Sequence, residues 1–221
     1  MNGAAPITDE MTIPRMRMIE RLRDHYKIND ERVLEAMLKL PRHIFVPEAI
    51  KSQAYNDNAL PISSGQTISQ PFIVARMTEL LELNGDEKVL EIGAGSGYQT
   101  AVLASLSRRV YAIERLPNLA AEVEIKINSL GFTNVVLKAG DGTDGWDTYR
   151  PYDAMLVAAG GPEVPLPLVE QLKIGGRLVI PIGTDQRKQD LYRVVRSKTG
   201  YSQQNFGPCS FVPLIGKHGW S

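Results

Sequence analysis

Short apolar runs alternate with amphipathic stretches through the middle of the chain. Lys88–Ile92 and Arg109–Glu114 have the length and β-branched content of buried strands. Tyr98–Leu106, and the residues that follow Pro117, repeat apolar positions at helical spacing. Strand and helix therefore alternate, which predicts a parallel sheet with helices on both faces and a ligand at the carboxyl ends of its strands.

The second half of the chain continues this alternation and then changes character. We expect a turn at Lys173–Gly176, an alternating strand at Asp190–Arg196, a turn at Thr199–Gly200 and a returning strand at Phe211–Leu214. The fold class is thus α/β: a doubly wound, mostly parallel seven-stranded sheet with an antiparallel C-terminal strand. The remaining predicted strands of this sheet are Val135–Ala139, Tyr152–Ala159 and Arg177–Pro181.

Helical additions precede the first strand. Residues 1–13 lack periodicity and are predicted to be a loose tail. Two amphipathic helices follow, the second capped by Asp30 and stopped by Pro41, and a largely irregular segment leads to a helix that begins at Pro71. The first helix is expected to face inwards through Met16, Ile19, Leu22 and Tyr26.

A glycine-rich turn follows the strand at Lys88–Ile92. It cannot be a dinucleotide fingerprint, whose third glycine would fall on Tyr98, and no lysine follows the glycines as a P-loop requires. The flanks of Ser96 do not fit a nucleophile elbow either. The remaining pattern, E-x-G-x-G-x-G, resembles motif I of the S-adenosylmethionine-dependent methyltransferases, with a tight turn without ligand as the alternative. Its members are Glu91, Gly93, Gly95 and Gly97.

The next strand ends in an acid. Glu114 lies about 20 residues after Gly93, where a carboxylate can accept hydrogen bonds from ribose hydroxyls. This position suits NAD and S-adenosylmethionine equally, and a solvated carboxylate at a strand end is the alternative. Glu114 therefore indicates a nucleoside without identifying which one.

Composition narrows the function classes. The 221 residues are 43% hydrophobic and 23% charged, which is typical of a globular domain. Lys plus Arg and Asp plus Glu number 25 each, so no long-range field favours nucleic acid or an anionic membrane. A single cysteine, Cys209, cannot form an internal disulfide, and no apolar run is long enough for a membrane span. We expect a cytoplasmic monomer that binds neither nucleic acid nor membrane.

Motifs in the irregular segment carry a more specific resemblance. Pro41-Arg42, Ala59–Ile62 and Gly65–Pro71, followed by the helix through Leu81, are similar to the protein-L-isoaspartate O-methyltransferase family. The resemblance runs from about Met16 to Leu214, and residues 215–221 depart from it. It implies a Rossmann-like methyltransferase fold in one domain, 1–221. Its parts are the tail 1–13, N-terminal helices and active-site loop 14–84, a cofactor-binding core 85–184, and C-terminal strands 185–221.

The resemblance also implies site residues. Ser69 takes the active-site position, although alone it would be a capping or turn serine. Asp141 would accept from the amino group of adenine, in a Gly140–Gly142 motif that is otherwise an ordinary turn. The loop Ala159–Pro165 would form a wall of the substrate cleft. The residues expected to bind S-adenosylmethionine are Gln66, Thr67, Ile68, Ser69, Glu91, Gly93, Gly95, Ser96, Gly97, Glu114, Asp141 and Gly142.

The implied substrate is the free α-carboxylate of an L-isoaspartyl residue in a protein or peptide. A carboxylate is ionised at neutral pH and needs no general base. The histidines agree, because His25, His43 and His218 lie outside the motif segments, and the spacing of Asp141, Asp144 and Asp147 indicates no metal.

Two other classes stay open on the sequence. One is a methyltransferase for small molecules or RNA on the same fold. The other is an inactive S-adenosylmethionine-binding module, against which the intact Ser69, Gly65-Gln66 and Asp141 argue.

Overall fold

Helices and short hairpin strands come first in the chain. The computed structural model describes residues 10–186 and 188–221, so the expected tail at residues 1–9 lies outside the described residues. Three 3₁₀ turns lie between the second and third helices, at Arg42–Phe45, Glu48–Gln53 and Ser63–Gly65. The elements before the central sheet are α1 (Thr12–Asp24), α2 (Glu31–Lys39), β1 (Leu60–Pro61), β2 (Thr67–Ile68) and α3 (Pro71–Leu80).

The rest of the described chain builds the central sheet and its helices. The elements are β3 (Lys88–Ile92), α4 (Tyr98–Leu106), β4 (Arg109–Glu114), α5 (Pro117–Ser129), β5 (Val135–Ala139), β6 (Tyr152–Val157), α6 (Leu166–Gln171), β7 (Leu172–Asp185), β8 (Lys188–Arg196) and β9 (Tyr201–Cys209).

Seven strands form one sheet in the order β5-β4-β3-β6-β7-β8-β9. Neighbours from β5 through to β7 pair in parallel, whereas β8 is antiparallel to both β7 and β9. The predicted fold class is confirmed. Because the chain runs outwards from β3 to β5 and then returns to β6 beside β3, the strand order reverses between β3 and β6, which is where open α/β sheets bind ligands.

Two apolar layers sandwich the sheet. Successive residues of β3 alternate between them, so Val89 packs with α2, α4 and α5 on one face and Leu90 packs with α6 on the other. Both side chains are fully buried. The expectation of helices on both faces is therefore confirmed, and the core strands show the continuous apolar character of a sheet that is covered twice.

Two of the last three strands, β7 and β9, differ from the expectation, whereas β8 contains the predicted strand Asp190–Arg196. Tyr152 pairs with Leu172 and Ala154 with Arg177, so residues 173–176, predicted as a turn, bulge out within a continuous β7. The strand that returns after the turn is β9, a polar edge strand, and not Phe211–Leu214. Edge strands avoid aggregation by carrying polar side chains. A polar strand of this kind cannot be recognised from the apolar positions in its sequence.

The first helix is rotated from its predicted face. Met16 is 49% exposed, whereas Arg15 and Met18 turn inwards with Ile19 and Leu22. The helix begins at Thr12, inside the predicted tail, because residues 12 and 13 complete its first turn. None of the helices described is long and apolar enough to cross a membrane.

Candidate active site

The turn between β3 and α4 forms the base of the site. Its three glycines, Gly93, Gly95 and Gly97, have φ values of 86°, 56° and 84°, a conformation that side chains with a Cβ rarely adopt. Gly97 has a second constraint, since a Cβ there would lie 3.1 Å from Val123 Cγ1. Ser96 Oγ accepts from Tyr98 N at 3.2 Å and caps α4. The backbone of this turn therefore approaches closely whatever binds above it.

Glu114, at the end of β4, lies beside this turn and is 6% exposed. Its Oε2 accepts from Gly95 N at 2.9 Å, and its Oε1 accepts from Leu116 N at 3.0 Å. Each carboxylate oxygen has a second lone pair, so the side chain still has acceptor capacity toward the cavity. Glu114 thus fixes the glycine turn as well as facing the space that a ribose would fill.

Ser69 reaches the site from a separate element. The two-stranded sheet β1–β2 pairs Leu60 with Ile68, and Ser69 follows it just before α3 begins at Pro71. No hydrogen bond of the Ser69 hydroxyl joins it to any other described residue. The backbone carbonyl of Ser69 accepts from Arg42 Nη2 at 2.8 Å. The hydroxyl is therefore free to bind a ligand, while the backbone that carries it is held.

A cavity of about 220 Å³ lies where these elements meet. Besides the turn and the hairpin, the loops after β6 and β9 contribute Ala158 and Val212–Ile215 to its walls. Nine of the expected site residues line it: Gln66, Thr67, Ile68, Ser69, Gly93, Gly95, Ser96, Glu114 and Gly142. Glu91, Gly97 and Asp141 are not among its lining residues.

Asp141 instead holds the last residues of the sequence, 215–221, which we call the strap. Its Oδ2 accepts from Lys217 N at 2.8 Å, and its Oδ1 accepts from the backbone and hydroxyl of Thr143, both at 2.8 Å. Burial raises the pKa of Asp141, but these hydrogen bonds outweigh it and hold the pKa below the usual value. Whether Asp141 also contacts adenine stays a prediction.

The strap joins two loops across the cavity. His218 Nε2 lies 3.1 Å from Asp144 Oδ1, and Trp220 Nε1 donates to Gly160 O at 2.9 Å. Ile215, at the start of the strap, lines the cavity. The expected wall of the substrate cleft, the loop after β6, is held further by Gly160 N donating to Val212 O and Leu214 N donating to Gly160 O, both at 2.8 Å.

Comparison with known proteins gives the family. The sequence profile of the protein-L-isoaspartate(D-aspartate) O-methyltransferase family matches residues 14–219. This chain belongs to that family. The protein-L-isoaspartate O-methyltransferase 2 of Geotalea uraniireducens is 52% identical over 212 residues, covering 96% of this chain and 97% of its own. The protein-L-isoaspartate O-methyltransferase of Syntrophus aciditrophicus is 51% identical over 216 residues, covering 96% of this chain and 99% of its own.

Solved structures agree. A protein-L-isoaspartate O-methyltransferase superposes with a TM-score of 0.85 at 28% identity, over 93% of this chain and 67% of that one. A Plasmodium falciparum protein described by the same activity, in complex with S-adenosyl-L-homocysteine, superposes with a TM-score of 0.79 at 26% identity. That match covers 91% of this chain and 98% of the other. The methyltransferase fold thus extends over nearly the whole chain.

Within this methyltransferase fold, Glu91 lies beneath the glycine turn, between β3 and α4. It is 0% exposed, and neither carboxylate oxygen has a hydrogen-bond partner among the described residues. Burial raises its pKa to about 8; the nearby Thr100 hydroxyl opposes that rise, and the Glu114 carboxylate adds to it. Glu91 is therefore largely protonated, and so uncharged, at neutral pH.

The strap and the residues before it were missed as site residues of this methyltransferase. Val212–Ile215 were expected in a strand or outside the matched region, yet they form one wall of the cavity. Their apolar sequence fits a strand and a cavity wall equally. Only the resemblance of Phe211–Leu214 to the family marked these residues in the sequence. That resemblance does not show where they lie in the folded protein.

Two of the histidines contact residues that lie outside the cavity walls. His43 Nδ1 lies 2.8 Å from the Tyr55 hydroxyl in the interior, and His218 contacts Asp144 on the strap. In the part of the chain that the structure describes, no group of three His, Cys, Asp or Glu side chains is arranged to hold a metal ion. The expectation that the reaction uses no metal stays a prediction.

Proposed function

We propose that the protein transfers the methyl group of S-adenosylmethionine to the free α-carboxylate of L-isoaspartyl residues in proteins and peptides. The observation that carries this proposal is the meeting of Glu114, the glycine turn and the Ser69 hydroxyl around one cavity. Membership of the family supports the substrate, and the S-adenosyl-L-homocysteine in the Plasmodium falciparum relative supports the cofactor.

The residues present fit this cofactor. Glu114 is a buried acceptor at the carboxyl end of β4, where ribose hydroxyls bind in sheets of this type. The positive φ values of the glycine turn bring main-chain N–H groups to the cavity without side chains between them. Gln66, Thr67, Ile68, Ser96 and Gly142 are proposed to complete the cofactor contacts, since they line the same cavity.

For this reaction the protein must orient the substrate carboxylate and exclude water, but it need not supply a general base. S-adenosylmethionine supplies a methyl group on a positively charged sulfur. A substrate α-carboxylate, with a pKa near 3.5, is already ionised at neutral pH. The Ser69 hydroxyl donates a hydrogen bond to this carboxylate and sets its direction of approach. The apolar residues Val212–Leu214 exclude water from the site. The products are S-adenosyl-L-homocysteine and a methyl ester. The neighbouring amide nitrogen of the substrate then attacks the ester carbonyl and displaces methanol, and the resulting succinimide can hydrolyse to normal aspartate.

The reaction is tested with an isoaspartyl peptide and its aspartyl twin of the same sequence. Both carry ionised carboxylates, but only the isoaspartyl linkage presents an α-carboxylate as a branch, and misplacement of a reacting group costs about 10²-fold. We expect kcat/KM for label transfer to favour the isoaspartyl peptide by about 10²-fold or more. Equal values would indicate a general carboxyl methyltransferase, and transfer only to RNA or metabolites in a parallel panel would contradict the proposal.

We further propose that the chain is one methyltransferase domain and acts as a monomer in the cytoplasm. One cysteine in 221 residues is compatible with a reducing compartment. Sedimentation velocity is expected to give one species near 24.4 kDa, and cell fractionation checks the location. A species of twice that mass would contradict the monomer, and recovery with membranes or nucleic acid would contradict the proposed partners.

A further inference from the structure

The interior beside the active site contains an unusual charge. Arg42, in the 3₁₀ turn after α2, is 0% exposed, and no carboxylate among the described residues pairs with it. Burial lowers its pKa to about 10, so the guanidinium remains charged at neutral pH. A buried charge without a counter-ion is costly unless its hydrogen bonds compensate. The contacts of Arg42 therefore indicate what it does.

Arg42 joins three segments of the chain. Its Nε donates to Ala54 O at 2.7 Å, and its Nη2 donates to Ser69 O at 2.8 Å. The guanidinium carbon lies 5.0 Å from the centre of the Tyr98 ring, within cation–π range. Tyr98 is the first residue of α4 and follows the glycine turn directly. One side chain thus connects Ser69, which is proposed to orient the methyl acceptor, to the element proposed to hold the methyl donor.

We propose that Arg42 is a positioning residue for methyl transfer: by binding the Ser69 carbonyl and the Tyr98 ring together, it sets the Ser69 hydroxyl relative to the cofactor. This inference rests on the proposed function. The hydroxyl of Ser69 has no described partner of its own, so its direction depends on the backbone that Arg42 holds. Arg42 itself does not line the cavity and does not touch substrate.

The geometry requires arginine. The planar guanidinium presents donors in a fixed fork and reaches the Ala54 and Ser69 carbonyls at once while lying over a ring. A lysine ammonium is a point charge that keeps the charge but cannot maintain all three contacts. Arg42→Lys should therefore fold and retain part of the effect, whereas Arg42→Met removes the hydrogen bonds and leaves two carbonyls without their donor.

Arg15 provides a matched control. It is also buried, at 1% exposed, and its guanidinium lies 5.9 Å from the Tyr55 ring. Its Nη1 donates to Leu38 O at 3.5 Å, within the N-terminal helices and away from the cavity. Arg15→Met therefore removes a buried guanidinium that also lies over a ring but makes no hydrogen bond to the Ser69 carbonyl.

The test is a double-mutant cycle of Arg42→Met with Ser69→Ala, with both Arg42→Lys and Arg15→Met beside it. All activity assays are run well below the thermal unfolding midpoint of every variant. We expect Arg42→Met alone to lower kcat about 10²-fold and to change the Kd for S-adenosyl-L-homocysteine less than 3-fold. In the Ser69→Ala background, Arg42→Met should lower kcat by less than a further 3-fold, because the effects of substitutions at coupled residues are not additive. Arg42→Lys should recover part of the rate, and Arg15→Met should stay within 3-fold of wild type.

Two outcomes of the activity assays overturn the proposal: additive losses in the cycle, or a kcat after Arg15→Met as low as after Arg42→Met. If Arg42→Met does not fold, the same cycle is run with Arg42→Lys. Hydrogen exchange separates this proposal from the proposed function. Amides at 67–70 should exchange faster in Arg42→Met than in Arg15→Met even if the wild type fails to methylate isoaspartyl peptides, and unchanged exchange there overturns the role of Arg42 alone.

Discussion

Glu114 has two roles at once, since its carboxylate holds the glycine turn and faces the proposed ribose site. Hydrogen bonds to a charged group contribute about 1.5–3 kcal/mol each. We therefore expect Glu114→Ala to weaken binding of S-adenosyl-L-homocysteine by roughly 10- to 100-fold, measured by calorimetry on folded protein. Glu124→Ala, an exposed change on α5, is the control. Unchanged affinity in Glu114→Ala would remove Glu114 from the cofactor site.

Glu91 gives the protein a specific pH dependence. Its pKa is about 8 in the folded state against 4.5 in the unfolded chain, so between these values the folded protein holds a proton that the unfolded chain releases. The free energy of unfolding therefore falls as pH rises through this window, by up to about 1.4 kcal/mol per pH unit, and the stabilisation is complete only below pH 4.5.

The Glu91→Gln variant cannot release this proton. Urea unfolding of cofactor-free protein at pH 5 and pH 8 should show the variant gaining stability relative to wild type as pH rises. The difference between the two proteins cancels the contributions of other titrating groups. Parallel pH profiles would show that Glu91 titrates normally and that its burial is relieved in solution.

The residues that sequence reasoning found are those whose chemistry is local. Glu114 and the three glycines follow from one strand-turn-helix pattern, and the structure places them side by side. Glu91 was expected to contact the cofactor on the same pattern, yet it points into the layer beneath the turn. Alternation along a strand decides which face a side chain takes, but the sequence does not say which face holds the ligand.

At the scale of elements, the strap bears on the role of Asp141, because it is hydrogen-bonded to that side chain. Asp141 is predicted to bind adenine, and its carboxylate also accepts a hydrogen bond from the backbone N–H of Lys217. We expect Asp141→Ala to raise the Kd for S-adenosyl-L-homocysteine about 10-fold in the full chain, because the strap is released. In a chain shortened to end at Leu214, the same substitution should change the Kd less than 3-fold. An equal loss in both chains would instead support direct contact with adenine.

Most strands were predictable, whereas β9 and the strap were not. The bounds of β3 and β4 agree with the expectation, because a strand buried on both faces has a continuous apolar sequence. The partly buried edge strand β5 also has the expected bounds. β9 carries polar residues, Gly207 and Pro208, so its pattern is typical of a loop. The strap has no periodicity, and its hydrogen bonds to the loops after β5 and β6 reach residues 60 to 76 positions earlier in the sequence.

At the scale of the whole molecule, strand order determines where the site lies. The cavity sits at the carboxyl ends of β3, β4 and β6, around the point where the order reverses. The alternation of strand and helix predicts this edge of the sheet. The wall formed by Val212–Ile215 depends on long-range contacts, which no local pattern in a single sequence contains.

The glycine turn proposed to bind the cofactor and the residue proposed to orient the substrate extend from two separate β-sheets. Glu114 and the glycine turn extend from the seven-stranded sheet, whereas Ser69 follows the two-stranded β1–β2. A two-stranded sheet is marginally stable, so it should open at temperatures that leave the large sheet intact. Warming is therefore expected to inactivate the enzyme reversibly while far-ultraviolet ellipticity persists. Loss of both signals at one temperature would mean that the hairpin melts only with the rest of the protein.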